Sequence, residues 1–139
     1  MGKDKLKVAV IGCGNISVMH LEAILALEES ELVAVCDIKP ERAEHAAQKY
    51  GAKAYTDYKI MFDREKLDAV HICLPHYLHV PVAIEAFKAG INVLSEKPMS
   101  IKYEDALEAV EIAKRCDVKY GVIFQCRYNT PSLLVKKRI

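Results

Sequence analysis

The sequence predicts a doubly wound parallel α/β sheet of six strands in the order 3-2-1-4-5-6. Apolar, β-branched runs at residues 6–11, 32–36, 69–74, 92–95 and 120–125, with a weaker one at 53–55, alternate with longer segments of helical period. The runs are apolar almost throughout, as parallel strands covered on both faces are. Right-handed crossovers through the intervening helices then leave little choice of topology.

Each element carries its own signal. His20 falls in helical register with Ile16, Ala23 and Leu27, which puts a helix after the first run. On its inner face a satisfied core histidine is the expected role, rather than a ligand. Pro40 suits a helix's first turn, and Ala43, Ala46, Ala47 and Tyr50 then follow i, i+3, i+4, i+7. Val80, Ala83, Ile84 and Phe87 repeat that spacing, as do Tyr103, Ala106, Leu107 and Val110. Gly51 and Gly90 are placed to take the left-handed turn that ends a helix. Ser100 is the expected N-cap ahead of Glu104 and Asp105. After Asn129-Thr130-Pro131 a last helical-looking stretch begins, too short to hold itself together in water.

Composition bounds the function. At 139 residues and 52% hydrophobic, the chain has one domain with a proper core. Lys+Arg 20 against Asp+Glu 19 gives a net charge of +1, so no overall field draws it to nucleic acid or an anionic membrane. The longest uncharged stretch, 69–84, carries two prolines and three histidines and does not read as a membrane span. Five cysteines, odd in number and without a C-x-x-C, fit neither a disulfide framework nor a zinc set, and suit a reducing cytosol. A cytoplasmic location is expected.

The chemistry gathers where the strands end. Directly after the first run comes Gly12-Cys13-Gly14-Asn15-Ile16-Ser17, a G-x-G-x-x-S loop with serine in the third glycine's place. A tight turn at Gly12 and no side chain at Gly14 let backbone approach a pyrophosphate at the following helix's N-terminus. The second strand ends in Asp37, 23 residues beyond Gly14, where a carboxylate can accept both ribose hydroxyls of an adenosine. The plain alternative is a turn residue at a strand end. A carboxylate repels a 2′-phosphate, which favours NAD, while Lys39 and Arg42 soften that preference and leave NADP possible.

The fourth strand runs into Leu74-Pro75-His76-Tyr77-Leu78-His79, a loop expected to face the cofactor because ligands bind beyond the carboxyl ends of open parallel sheets. His76 and His79 lack a third metal ligand nearby, and no metal is expected. The fifth strand ends in Ser95-Glu96-Lys97-Pro98. Read as chemistry, Glu96 bonds nicotinamide-side ribose hydroxyls, and Lys97 holds the substrate oxygen and relays a proton if burial lowers its pKa. Read as structure, the pair is a strand-tip ion pair of little worth.

These residues resemble a known family. Gly12-x-Gly14-Asn15-Ile16-x-x-x-His20, Asp37, Pro75-x-x-x-His79, Ala86-x-x-Ala89-Gly90-x-Asn92-Val93 and Glu96-Lys97-Pro98 are similar, in order and approximate spacing, to the Rossmann-fold amino-terminal domain of the glucose–fructose oxidoreductase / inositol dehydrogenase / rhizopine catabolism (Gfo/Idh/MocA) family. Gly121-x-x-Phe124-Gln125-x-Arg127-Tyr128-Asn129 resembles the segment leading into that family's second domain. The resemblance implies NAD(P)-dependent oxidation of a hydroxyl on a sugar, cyclitol or related compound. It places the dinucleotide on Gly12, Cys13, Gly14, Asn15, Ile16 and Asp37, lines the nicotinamide side with Leu74, Pro75, His76, His79 and Glu96, and gives Lys97 a catalytic as well as cofactor-binding role. Ser17 and His76 depart from it, standing where a small apolar residue and an asparagine are usual.

The family's second, sheet-rich domain carries the substrate pocket and an acid/base histidine, and here no histidine follows His79. We therefore expect residues 1–126 to be an NAD(P)-binding domain and 127–139 to start the connection to a substrate domain absent from this chain, which alone should be inactive. The competing reading is a non-enzymatic dinucleotide-binding or partner-docking module; a methyltransferase with a similar glycine loop is a third. Apolar residues Phe124, Tyr128, Leu133 and Leu134, left without their cover, should promote self-association into a homo-oligomer.

Overall fold

The computed structural model describes residues 4–138. In chain order the elements are β1 (Leu6–Ile11), α1 (Ser17–Ala26), β2 (Ser30–Cys36), α2 (Pro40–Tyr50), β3 (Lys53–Tyr55), α3 (Tyr58–Arg64), β4 (Ala69–Ile72), α4 (His79–Lys88), β5 (Asn92–Ser95), α5 (Tyr103–Arg115), β6 (Tyr120–Val122) and α6 (Thr130–Lys136). The strands form one parallel sheet in the order β3-β2-β1-β4-β5-β6. The expected topology is the observed one.

The sequence pattern shows why the strands read as continuous apolar runs. Along β1, Val8 and Val10 pack with Leu21 and Ile24 of α1 and with Ala46 and Ala47 of α2. Their neighbours Ala9 and Ile11 join the opposite core, with Val70 and Ile72 of β4, Ala83 and Phe87 of α4, and Ala109 and Ala113 of α5. Successive side chains point to opposite faces, so a strand buried on both is apolar at nearly every position, His71 in β4 being an exception. Strand order reverses between β1 and β4, which opens a crevice at the carboxyl ends of those two strands.

Local chemistry sets most element boundaries as expected. Pro40 opens α2, and Gly51 closes it at φ +74° with its N–H on the Ala47 carbonyl. Gly90 likewise takes φ +74° after α4. Several ends differ. The first run's partner begins earlier, at Ser30, because Ser30 and Glu31 still pair with Leu6 and Lys7. β4 stops at Ile72 rather than 74, ahead of Pro75, which has no N–H to give a ladder. β6 stops at Val122 rather than 125, and Gln125 instead opens a 3-10 turn (Gln125–Tyr128). Helix α5 takes Lys102, not Ser100, as its N-cap; Ser100 Oγ accepts the Lys102 N–H, two residues too early to cap the helix itself. Helix α3 has no counterpart in the periodicity argument. Its signal is Asp57, whose carboxylate accepts the Lys59 N–H as an N-cap.

The last helix, α6, buries none of its residues, and Phe124, Tyr128, Leu133 and Leu134 are exposed. Among the described residues, no helix is long and apolar enough to cross a membrane.

Candidate functional site: the carboxyl rim of the sheet

Four strand ends meet at the rim. After β1, Gly12 donates its N–H to the Cys36 carbonyl at 2.7 Å and takes φ +94°. A Cβ there would drive into the Cys73 carbonyl beyond β4 and crowd Leu74. Gly12 is thus wedged between two strand ends in a conformation that disfavours any side chain. Gly12→Ala is expected to lose about 2–3 kcal/mol or more of stability, from backbone strain plus the clash; a urea midpoint unchanged from wild type contradicts this.

Gly14 differs in kind. Its φ is ordinary, and a Cβ added to it meets nothing within 4 Å. The N–H groups of Gly14, Asn15 and Ile16 find no acceptor among the described residues. They sit just ahead of α1, where the helix dipole favours an anion. Ser17, in the third small position, is 2% exposed and donates its hydroxyl to the Gly14 carbonyl at 2.6 Å. The hydroxyl is satisfied inside its own loop, which is how serine fits a place that otherwise calls for a small apolar residue.

Beyond β2, Asp37 is buried and organises the loop from the side. One carboxylate oxygen accepts the Cys13 N–H at 2.8 Å and the other the Lys39 N–H at 2.9 Å. A carboxylate has about four lone-pair sites, so each oxygen keeps one for a further donor. Burial, and then the Asp37 charge, pushes the Cys13 thiol up to about 12. Burial does the same first of all to Cys36, also to about 12, and raises Cys73. All three are neutral, inert packing groups at neutral pH.

Beyond β4, the loop turns through Pro75 into the 3-10 turn His76–Leu78. His76 and Tyr77 are exposed, whereas His79 is fully buried. Its Nδ1 lies 2.7 Å from the Pro98 carbonyl and its Nε2 2.8 Å from the Leu74 carbonyl. His79 therefore sits between the loop after β4 and the loop after β5, placed to donate to a carbonyl of either, and neither ring nitrogen faces the rim. Among the described residues, no three His, Cys, Asp or Glu side chains are placed to hold a metal ion.

Beyond β5, Glu96 is 8% exposed, and its N–H donates to Ile72 at 2.9 Å. One carboxylate oxygen lies 3.1 Å from Nε2 of His20, and the other accepts the Lys97 N–H at 3.2 Å. His20 is the satisfied core histidine expected, held between Glu96 and His71. The Lys97 side chain is exposed and its amine forms no ion pair among the described residues. The strand-tip ion pair with Glu96 is absent, and the burial on which a proton-relay lysine depends is not present in this chain. His71, which sequence reasoning passed over, joins the site through His20. The one sign of it was a polar residue inside a run otherwise suited to a core strand.

A concavity of about 660 Å³ lies elsewhere, on Pro131, Ser132, Val135 and Lys136 of the exposed last helix, and meets none of these residues. The rim is where geometry and chemistry coincide. An open glycine with free N–H donors ahead of a helix, a buried carboxylate with spare lone pairs beside it, and a second carboxylate across the strand switch suit a dinucleotide. Such an arrangement defines a Rossmann dinucleotide-binding domain.

Comparison with known proteins makes this specific. Residues 6–124 match the family described as an oxidoreductase family with an NAD-binding Rossmann fold, and the chain belongs to it: the Gfo/Idh/MocA family. It is 30% identical to D-glucoside 3-dehydrogenase of Escherichia coli K12 over 100% of this chain and 40% of that protein. It is 30% identical to myo-inositol 2-dehydrogenase of Thermotoga maritima, over 89% of this chain and 37% of the relative. Among solved structures it is similar to the WlbA dehydrogenase of Bordetella pertussis in complex with NADH and UDP-GlcNAcA, at 36% identity and TM-score 0.93, over 96% of this chain and 41% of that one. The chain thus spans about two-fifths of the length of these relatives. It is the NAD-binding Rossmann domain of this oxidoreductase family, and the methyltransferase reading of its glycine loop is set aside.

Proposed function

We propose that the whole protein transfers a hydride between a nicotinamide cofactor and a hydroxyl of a sugar, cyclitol or related compound. Gly14 carries the reading. Among the described glycines it has neither a positive φ nor a neighbour that a side chain would strike. The fold does not need it bare, so the need comes from something that approaches the loop from outside. Relatives named as a glucoside dehydrogenase and an inositol dehydrogenase support the substrate class.

The residues divide the work by position. The N–H groups of Gly14, Asn15 and Ile16, with Cys13 alongside, hold the pyrophosphate. The free lone pairs of Asp37 accept the adenosine ribose hydroxyls, and its charge disfavours a 2′-phosphate there. The loop Leu74, Pro75 and His76 lines the nicotinamide side, with His79 fixing that loop from within. Glu96 accepts hydroxyls of the nicotinamide-side ribose. When bound, the nicotinamide supplies the hydride acceptor. Lys97 reaches the substrate oxygen from the rim, and its proton-relay role requires cover that this chain does not provide. Residues 1–126 serve as the cofactor domain, with 127–139 leading toward the substrate-holding part of the protein. The exposed Phe124, Tyr128, Leu133 and Leu134 support burial against that part or a second copy, in a cytoplasmic homo-oligomer.

Calorimetric titration tests the reading. NADH should bind this chain saturably and more tightly than NADPH, with no turnover over a panel of sugars and cyclitols. Absence of NADH binding up to millimolar concentration overturns it.

A further inference from the structure

His71 sits mid-strand in β4, between β1 and β5, and none of the roles above uses it. Its Nδ1 lies 3.0 Å from Nδ1 of His20 on α1, with the rings edge-to-face at 78°. His20 in turn reaches Glu96 through its other nitrogen at 3.1 Å. Three ionisable side chains from β4, α1 and the end of β5 are thus strung in one line toward the rim. The Cys73 thiol beside this line is kept protonated by its burial and then by the Glu96 charge.

Counting protons along the line fixes its state. Burial first of all pushes His71 down to about 4, so at neutral pH it carries one ring proton. The Glu96 carboxylate only accepts, so His20 presents its Nε2 proton to it. With that single proton on Nε2 the Nδ1 of His20 is bare, and the Nδ1–Nδ1 contact is then a hydrogen bond only if the His71 proton sits on Nδ1 and points inward. On a histidine, the bond made at one nitrogen decides which nitrogen carries the proton. The hydroxyls of Tyr50 and Tyr120 are the buried side-chain polar atoms without a partner among the described residues, so Nε2 of His71 is not stranded in the core by this choice.

We propose that His71 is a positioning residue for the dinucleotide: by donating from its Nδ1 to the Nδ1 of His20 it fixes the His20 ring, whose Nε2–H in turn keeps Glu96 aimed as an acceptor for the nicotinamide-side ribose. Without that inward proton, Nδ1 of His20 is buried and unpaired, the ring is held from one side only, and it no longer fixes the direction in which Glu96 points. The proposal rests on the ribose role of Glu96 given above.

The test has two arms on the full chain. In ¹⁵N-labelled wild type, long-range ¹H–¹⁵N spectra at neutral pH should show His71 as the Nδ1–H tautomer and His20 as the Nε2–H tautomer. A His71 proton on Nε2, or a doubly protonated His20, overturns the proposal without any variant having to fold. In the second arm, His71→Val should weaken NADH binding about tenfold, whereas His71→Asn, whose amide can donate from nearly the same place, should restore it to within about twofold. Equal affinity in wild type and His71→Val overturns the proposal. Glu96→Gln separates the two levels. If it too leaves NADH affinity unchanged, the ribose role of Glu96 has failed; if it weakens binding while His71→Val does not, the positioning role alone has failed.

Discussion

Asp37→Ala is expected to weaken NADH binding about a hundredfold and to destabilise the free protein by about 1–3 kcal/mol. The first effect follows from the two lone pairs left free by the Cys13 and Lys39 N–H groups. A hydrogen bond to a charged group contributes about 1.5–3 kcal/mol, so two ribose hydroxyls give about 3 kcal/mol even at the low end, a factor of about 100. The second effect arises because Asp37 is only 8% exposed and its removal leaves backbone donors without an acceptor. NADPH should lose less than NADH, since the lost carboxylate no longer repels the 2′-phosphate. Asp37→Asn should fall between, because an amide accepts through one oxygen only. Calorimetry with both cofactors, beside urea unfolding, reads both effects; unchanged NADH affinity in a folded Asp37→Ala protein contradicts the adenosine role.

Gly14→Ala should separate binding from folding. The new methyl group meets no protein atom within 4 Å, and the backbone φ is one that alanine adopts freely. Loss of glycine's freedom in the unfolded chain then leaves stability unchanged or raised by up to about 1 kcal/mol. NADH affinity, in contrast, should fall at least tenfold, because the methyl group occupies the space through which the pyrophosphate reaches the Asn15 and Ile16 N–H groups. Gly12→Ala, two residues earlier, should do the reverse in its first effect and damage the fold itself. Equal losses of stability in the two variants, or full NADH affinity in Gly14→Ala, contradict the separate roles.

What could be read from sequence was what local chemistry decides. A strand buried on both faces is apolar over its buried part, so Val8 to Ile11 within the run at 6–11 announced a central parallel strand. Gly12, Gly14 and Asp37 are tied to one βαβ unit, whose spacing is short enough to see along the chain. Less legible were features that only long-range packing creates. His79 was assigned to the cofactor because its loop lies at the rim, yet its ring turns inward to two carbonyls from different loops. His71 gained a partner 51 residues away that no periodicity could reveal. Helix α3 is too short for a clear apolar repeat, so its Asp57 cap was the only local sign of it. Ser100 missed its helix because its side chain satisfies the Lys102 N–H before the helical turn starts. Lys97 could be placed at the rim, but its burial depends on surfaces beyond the residues that form the sheet.

The most direct test of the rim as a dinucleotide site is to titrate NADH into the ¹⁵N-labelled chain and follow its backbone amides. Saturable shifts should concentrate on Cys13 to Ser17, on Asp37 to Lys39, and on Glu96 and Lys97, which lie far apart in sequence but share the carboxyl ends of β1, β2 and β5. Shifts that cluster instead on the last helix around Pro131 to Lys136, or no saturable shifts at all, contradict it.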